Sequence, residues 1–215
     1  MLAYSGQGRF VMQRLDLSAL VAETTQLLRL SISKKAALKF ELARDLTSIV
    51  ADPTQMRQIT MNLVINASDA IGDRPGVILL GTRCLRVTRA DLADAYLSPD
   101  LPEGEYVALK VTDNGCGMSP ETLARIFDPF FTTKFTGRGL GLAAVLGIVR
   151  GHRGALKVES ELGRGSTFRL LLPCAEGTAE PVAATAAPRP DWRGTGTVLV
   201  ADDEPADPPV AGAMP

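Results

Sequence analysis

The sequence predicts an α/β (α+β) sandwich in which one mixed, mostly antiparallel sheet carries helices on one face. Helical and strand-like segments alternate along the chain, but without the regular strand–helix–strand rhythm that is typical of a parallel sheet. A long amphipathic helical pattern covers residues 53–71, and a hairpin pattern through Leu162-Gly-Arg-Gly165 closes the folded region. The 215 residues therefore correspond to one domain with room for appendages.

The first part of the chain contains the capping signals of two helices. Ser18 is a good N-cap residue for the first helix. Asp52 and Pro53 are the N-cap and first-turn residues of the second, and Gly72 ends it. Residues 1–14 resemble the last turn of a helix whose earlier part is absent. The predicted elements are helices at 19–30 and 53–71 and strands at 38–42 and 48–51.

The second part of the chain alternates between strands rich in β-branched residues and two further helices. The predicted strands lie at 76–87, 106–112, 155–160 and 166–172, and the predicted helices at 120–127 and 139–150. Residues 88–104 contain Pro99 and Pro102, so we expect a loop or insertion there.

Composition excludes several classes of protein. Lys and Arg total 23 against 24 Asp and Glu, and aromatic residues make up 5%, so a nucleic-acid-binding surface has little support. The three cysteines, at 84, 116 and 174, are odd in number and far apart in the sequence, a pattern that fits neither a disulfide framework nor a zinc site, and we expect reduced thiols in a cytoplasmic protein. We expect no membrane segment and no signal peptide, because no sufficiently long apolar run exists.

Four sequence motifs follow one another in a fixed order. They are Asn62-Leu-Val-Ile-Asn66-Ala-Ser-Asp69, Asp113-Asn-Gly115-Cys-Gly117-Met118, Phe127-Asp-Pro-Phe130-Phe131-Thr-Thr-Lys134 and Gly137-Arg-Gly139-Leu140-Gly141-Leu142. In this order they resemble the N, G1, F and G2 boxes of the ATP-binding domain of two-component histidine kinases, which has the Bergerat ATP-binding fold. The resemblance covers residues 15–173 approximately and implies a domain that binds ATP with Mg²⁺.

The first motif places Asn62, Asn66 and Asp69 on one face of the long helix. An amide oxygen is a suitable hard ligand for Mg²⁺ and adds no negative charge. The resemblance implies that Asn66 binds the metal, that Asn62 lies near the γ-phosphate as a candidate catalytic residue, and that Asp69 belongs to the same site. Without the other motifs, the same residues fit the solvated polar face of a surface helix.

The second motif joins the carboxylate of Asp113 to two glycines, which let the backbone approach a planar base closely. The resemblance implies that Asp113 accepts a hydrogen bond from the adenine amino group. It also assigns Gly115, Gly117, Met118 and, in the closing hairpin, Thr167 to the nucleotide site. Without the other motifs, Asp-Asn-Gly is an ordinary turn.

The third and fourth motifs are predicted to surround the phosphates. Glycines before a helix N-terminus expose backbone N–H groups to anions. By the resemblance, Phe130 and Phe131 are apolar pins in the hinge of a lid, and Lys134 is a second candidate catalytic residue that contacts the terminal phosphates. A solvated loop charge is the alternative for Lys134. The remaining members assigned to the nucleotide are Gly137, Gly139, Leu140, Gly141 and Leu142.

Asn62 also bears on the type of reaction. In the hydrolysing relatives of this fold, a glutamate four residues before the magnesium asparagine is the general base, and Asn62 stands at that position here. An amide cannot take a proton at neutral pH, so transfer of the γ-phosphoryl to a histidine is favoured over hydrolysis. A regulatory nucleotide-binding module without transferase activity and an ATPase of the same fold are the alternatives.

The sequence contains one histidine, His152, and its position in a glycine-rich turn favours a structural role. We therefore expect the phosphoacceptor on a dimerisation segment outside this chain, with a response-regulator receiver domain as a further partner. Residues 197–204 resemble the first strand of a receiver, including Asp202 and Asp203, and a disordered tail is the alternative for this segment. The expected organisation is a helix remnant (1–14), a catalytic domain (15–174), an Ala/Pro-rich linker (175–196) and a truncated receiver start (197–215).

Overall fold

The computed structural model describes seven strands and five helices, within residues 11–28, 31–93, 95–97, 101–134 and 137–175. These residues belong to the unit Met1–Val182, and the expected linker and receiver start lie outside them, apart from Ala175. In chain order the elements are β1 (Gln13–Leu15), α1 (Leu17–Leu28), β2 (Ala36–Leu42), β3 (Ile49–Ala51), α2 (Pro53–Ile71), β4 (Gly76–Val87), α3 (Arg89–Ala93), β5 (Gly104–Asp113), α4 (Pro120–Leu123), α5 (Gly141–Gly151), β6 (Ala155–Glu161) and β7 (Gly165–Pro173).

A five-stranded sheet with the order β2-β4-β5-β7-β6 forms the centre of the fold. The β2–β4 pair is parallel and the other three pairs are antiparallel, which confirms the mixed, mostly antiparallel sheet. Helices α2 and α5 pack on one face, and the side chains between them and the strands form the main core. A separate antiparallel pair joins β1 to β3. The predicted sandwich is therefore confirmed.

The prediction for α2 is confirmed in its bounds and its caps. Asp52 Oδ1 accepts hydrogen bonds from the backbone N–H groups of Thr54 (2.9 Å) and Gln55 (3.3 Å). Pro53 occupies the first turn, where a missing N–H costs nothing. The helix ends at Ile71 with Gly72 as its C-cap. Two local signals therefore fix where the helix that carries the first motif begins and ends.

The predicted N-cap of α1 is wrong. Asp16 Oδ1 accepts the N–H groups of Ser18 (2.7 Å) and Ala19 (3.2 Å), so Asp16 caps the helix and Ser18 lies inside it. The Ser18 side chain is buried and shares a hydrogen bond of 2.6 Å with Thr82 Oγ1 in β4. Residues 13 and 14 form strand β1 rather than the end of a helix, and residues 1–10 of the expected remnant lie outside the described residues.

The insertion between β4 and β5 has a role that the sequence did not reveal. Leu92 of α3 packs beside Tyr106 on the sheet face opposite the main helices. Further along, the Tyr96 backbone N–H donates to the carbonyl of Leu156 on the edge strand β6 (2.8 Å). The Tyr96 hydroxyl donates to the Ala124 carbonyl (3.1 Å), and its ring lies 4.4 Å from that of Phe127. The insertion therefore braces the segment after α4, which ends at Leu123 and is shorter than predicted.

His152 has a structural position at the end of α5. Its side chain is buried, and Nε2 accepts the backbone N–H of Asp52 (3.0 Å). That bond leaves the ring proton on Nδ1, which donates to the Ile148 carbonyl (2.8 Å). The imidazole thus connects α5 to the start of α2, a position that agrees with the structural role expected for this histidine.

Within the described residues, every helix is too short or too polar to cross a bilayer.

Replacing Asp52 with alanine should lower the free energy of unfolding by about 1–2 kcal/mol, because two N–H groups at the start of α2 lose their acceptor. Urea unfolding of the purified chain measures the change. Asp45→Ala removes an exposed aspartate and should stay within about 0.5 kcal/mol of the parent. Equal effects of the two substitutions would show that Asp52 is not an energetically important cap.

Candidate functional site

A cavity of about 520 Å³ lies between α2, the end of β5 and the start of α5. This volume falls in the range of small-molecule sites. Twelve of the fifteen residues that the sequence assigned to the nucleotide line it. They are Asn66, Asp69, Asp113, Gly117, Met118, Phe131, Lys134, Gly137, Gly139, Leu140, Gly141 and Leu142. Asn62, Gly115 and Thr167 are not among the lining residues.

Asp113 is a buried carboxylate at the inner end of the cavity. It is the last residue of β5, paired with Ile78 on one side and Ser166 on the other, and only 4% of it is exposed. Burial raises the pKa of this carboxyl above its usual value, while hydrogen bonds from the backbone of Gly115 and Ser166 act in the opposite direction. The Gly115 N–H lies 2.8 Å from Oδ1. Such a group gains most from a ligand that donates a hydrogen bond to it.

The glycines of the second motif allow this loop to pass close to other backbone segments. Gly117 has φ +65°, and a Cβ there would collide with the backbone carbonyl of Glu161. Gly115 is buried behind the cavity wall, where a Cβ would lie 2.5 Å from the Ala70 backbone. The two glycines therefore support the cavity, and only Gly117 lines it directly.

Thr167, which the sequence assigned to the nucleotide site, does not line this cavity. Adjacent residues of a strand point to opposite faces, and Thr167 lies on the face away from α2, where its Oγ1 is 3.0 Å from Thr112 Oγ1. Its neighbours Ser166 and Phe168 line the cavity instead. Because Ser166 pairs with Asp113 across the sheet, the strand register indicates the residue that the motif comparison missed by one position.

Lys134 joins the two polar residues of α2 that face the cavity. Its Nζ donates to Asn66 Oδ1 at 3.0 Å and to Asp69 Oδ2 at 2.7 Å. The two oxygens therefore converge on one point that is occupied by a positive charge. An amide oxygen and a carboxylate oxygen arranged in this way fit Mg²⁺, which prefers hard oxygen ligands.

Asn62 lies one helical turn from Asn66 but is turned toward α5. Its Nδ2 donates to the Gly141 carbonyl at 3.3 Å, which ties α2 to the first residue of the helix that follows the glycine loop. Leu140 is the N-cap residue of α5, and no side chain caps this helix end. The N–H groups of its first turn are therefore available to an anion in the cavity.

The segment over the cavity differs in one respect from the prediction. Phe131 lines the cavity, and the guanidinium of Arg125 lies 4.4 Å from its ring centroid. Phe130 is 73% exposed and has φ 68°, so it is not an apolar pin in this structure. Its backbone N–H donates to the Gly139 carbonyl at 3.0 Å, which connects the segment to the glycine loop.

Several lining residues were not assigned to the site from the sequence. Near Asp113 the lining also includes Cys116, Thr122, Ile126, Ser166 and Phe168, and near Lys134 it includes Thr132, Thr133 and Arg138. Alternation within β7 could have identified Ser166 and Phe168. Thr132, Thr133 and Arg138 lie within the third and fourth motifs, so their position beside assigned residues was the available signal.

Comparison with known proteins agrees with this geometry. A buried carboxylate, a polar helix face and a glycine loop before a helix define a nucleotide-binding α/β sandwich. Residues 51–176 match the family described as histidine kinase-, DNA gyrase B-, and HSP90-like ATPase, and the chain belongs to this family.

The similar curated proteins are sensor kinases. The chain is 39% identical to the sensor kinase CckA of Brucella abortus (strain 2308), over 96% of this chain and 22% of that protein. It is 39% identical to the sensor histidine kinase ZraS of Escherichia coli (strain K12), over 75% of this chain and 31% of the relative. The chain thus spans less than a third of the length of either relative.

Two solved structures have the same architecture. Full-length ShkA in complex with AMPPNP superimposes with a TM-score of 0.63 at 27% identity, over 80% of this chain and 33% of that one. The catalytic domain of the histidine kinase ThkA gives a TM-score of 0.60 at 27% identity, over 76% of this chain and 95% of that one. The chain therefore contains the ATP-binding catalytic domain of sensor histidine kinases.

Replacing Gly117 with alanine should destabilise the protein and lower its affinity for ATP, because the new Cβ displaces the loop from Glu161. Gly163→Ala is the matched control, since Gly163 has φ +78° but open space around the Cβ position. In the control, the free energy of unfolding should fall only by the backbone strain of a positive φ, about 1–2 kcal/mol. Urea unfolding and titration with ATP measure both variants, and equal losses would contradict the proposed steric role of Gly117.

Proposed function

We propose that this chain transfers the γ-phosphoryl group of Mg·ATP to a histidine on a separate dimerisation segment, as the catalytic part of a sensor histidine kinase. One observation carries the proposal: a single cavity has a buried carboxylate at one end and a polar cluster beside an uncapped helix N-terminus at the other. These two ends have the chemistry that a base and a triphosphate require.

The inner end is proposed to bind adenine. Asp113 lacks full solvation, and the exocyclic amino group of adenine would supply a donor to its carboxylate. Guanine presents a carbonyl oxygen at that position, and two acceptors would face each other without a proton between them. Met118, Ile126 and Phe168 supply apolar surface for the ring.

The outer end is proposed to bind the phosphates and the metal. Asn66 is the proposed Mg²⁺ ligand, with Asp69 beside it, and bound Mg²⁺ would offset the negative charge of the terminal phosphates. Residues 137–142 line the same space, and the N–H groups in the first turn of α5 are proposed to bind the phosphates. Lys134, now held by Asn66 and Asp69, is proposed to turn toward the γ-phosphate when nucleotide binds.

The reaction proposed for these residues is in-line displacement at the γ-phosphorus by an imidazole nitrogen. Lys134 offsets charge on the transferred group, and Asn62 keeps the start of α5 in position through Gly141. Asn62 has no basic group with which to activate water, which favours transfer over hydrolysis. His152 is unsuited to be the acceptor, because both ring nitrogens already have hydrogen-bond partners.

The proposed partners lie outside the chain. They are a dimerisation segment that carries the phosphoacceptor histidine and a receiver domain that accepts the phosphoryl group from it, in the cytoplasm. We propose a catalytic domain that ends near Cys174 and begins by Gln13, rather than at residue 15, because β1 pairs with β3. Residues 197–215 are proposed to be the start of a receiver.

Replacing Asp113 with asparagine should weaken ATP binding about 10- to 100-fold, which corresponds to a hydrogen bond with a charged partner. Calorimetric titration with Mg·ATP measures the change. Asp73→Asn alters an exposed carboxylate beyond the end of α2 and should leave the affinity unchanged. Unaltered affinity in Asp113→Asn would refute the assignment of adenine to this end of the cavity.

The affinity of the wild-type chain should also fall as pH decreases through the raised pKa of Asp113. The reason is that only the ionised carboxylate accepts the amino hydrogen bond, and burial favours the protonated form at a higher pH than usual. Asp113→Asn should lack this step. The two titration series, recorded at several pH values, test the difference.

Transfer itself is tested by adding a separate dimerisation segment that bears a histidine. With γ-labelled ATP, the segment should acquire label and the chain alone should not. Lys134→Met should lower the rate of labelling at least 10-fold at saturating ATP, since the transferred group loses a neutralising charge. Arg164→Met, on the exposed hairpin turn, is the control. ATP binding without any labelling would favour the regulatory-module alternative, and phosphate release that depends on Asn62 would favour the ATPase.

A further inference from the structure

Two of the three cysteines lie beside each other at the end of the sheet away from the ATP cavity. Cys84 is in β4 and Cys174 directly follows β7, and their sulfur atoms are 3.7 Å apart. Cys84 pairs with Val107, six residues along β5 from Asp113, so the pair is about 20 Å from the buried carboxylate. Neither cysteine lines the cavity, and the proposed reaction does not use them.

The surroundings of the pair differ on its two sides. Cys84 is exposed, with the Glu105 carboxylate 3.5 Å from its sulfur. Cys174 is half-buried and forms an isolated antiparallel β-bridge with Ile49 of β3. The N–H of the following residue, Ala175, donates to the Ser48 carbonyl (2.7 Å). Cys174 therefore lies where the ends of β3, β5 and β7 meet.

We propose that Cys84 and Cys174 are an oxidation site that forms a reversible intramolecular disulfide when the protein meets a peroxide. In the first step the Cys84 thiol takes one oxygen from the peroxide to give a sulfenic acid, and hydrogen peroxide leaves as water. In the second step the Cys174 sulfur attacks the Cys84 sulfur, the S–S bond forms, and the hydroxyl leaves as water with the Cys174 proton. Two thiols lose two electrons in total, and the peroxide gains them.

Exposure and protonation determine which sulfur reacts first. Burial, followed by the neighbouring Cys84, raises the pKa of Cys174 to about 12, so Cys174 remains a neutral thiol at physiological pH. Cys84 is open to solvent and is the sulfur that a small oxidant reaches first. The proximity of the second thiol then favours disulfide formation over further oxidation of Cys84.

The bond would cross β5, which lies between β4 and β7 in the sheet. The two residues are therefore not direct strand partners, and the end of β7 must bend toward β4 when the bond closes. A bond between residues 90 positions apart closes a long loop, which restricts the unfolded chain. Oxidation is thus expected to fasten the end of β7 and raise the unfolding temperature.

The test treats the reduced full chain with hydrogen peroxide and maps disulfide-linked peptides by mass spectrometry. We expect a link between the peptides of Cys84 and Cys174, a loss of two hydrogens in the intact mass, and recovery of the free thiols with dithiothreitol. The unfolding temperature should rise by several degrees on oxidation and return on reduction. ATP affinity before oxidation is a separate measurement, so failure of the proposed kinase function would leave this test intact.

The third cysteine supplies the matched control. Cys116 is exposed and lines the ATP cavity without a thiol neighbour among the described residues. Cys116→Ser should retain the link, whereas Cys84→Ser and Cys174→Ser should each abolish both the link and the temperature shift. Cys174→Ala serves where the serine variant fails to fold. Peroxide that converts Cys84 to a sulfinic acid while Cys174 stays free, or a link that involves Cys116, would overturn the proposal.

Discussion

The rotation of α2 about its own axis is the constraint on which the rest of the site depends. One stripe of this helix, formed by Met56, Ile59, Leu63 and Ala67, is buried against the sheet. Full burial of a large apolar side chain contributes about 1.5–3 kcal/mol to stability. The burial of several such side chains therefore selects one rotation of α2 about its axis. The stripe beside it carries Asn66 and Asp69. Turning the helix by one residue would expose the apolar stripe, so the polar residues are held at the cavity by the packing behind them.

The sheet supplies a second constraint, because its register places a carboxylate where solvent is excluded. Asp113 ends β5 on the same face as Val111, which belongs to the main core. Ionising a carboxyl in that position is unfavourable, and the backbone hydrogen bonds from Gly115 and Ser166 offset only part of the cost. A ligand that donates another hydrogen bond to Asp113 offsets more of this cost, and its binding is strengthened accordingly. The fold and the proposed specificity are therefore connected through one buried carboxylate.

Sequence patterns predicted the features that depend on local chemistry and missed those that depend on contacts across the fold. Asp52, Pro53 and Gly72 delimit α2 correctly, because caps act within a few residues. Ser18 and Asp16 are equally good capping residues, and the contact between Ser18 and the distant Thr82 decides between them. Thr167 does not line the cavity while its neighbour Ser166 does, because a shift of one residue reverses the face of a strand. The brace formed by Tyr96 had no local signal.

The side of the cavity that carries Lys134 is held by weaker interactions than the side that carries Asp113, and this difference fits the proposed exchange of nucleotide. Lys134 and Asp69 form a close ion pair, but their side chains are 39% and 47% exposed, so the pair contributes only about 0–1 kcal/mol. Turning Lys134 from α2 toward a phosphate therefore costs little. Asp113, by contrast, is fixed within the sheet and cannot move with the ligand. In the proposed function, nucleotide recognition begins at the rigid carboxylate, and the segment that carries Lys134 changes partners around the phosphates.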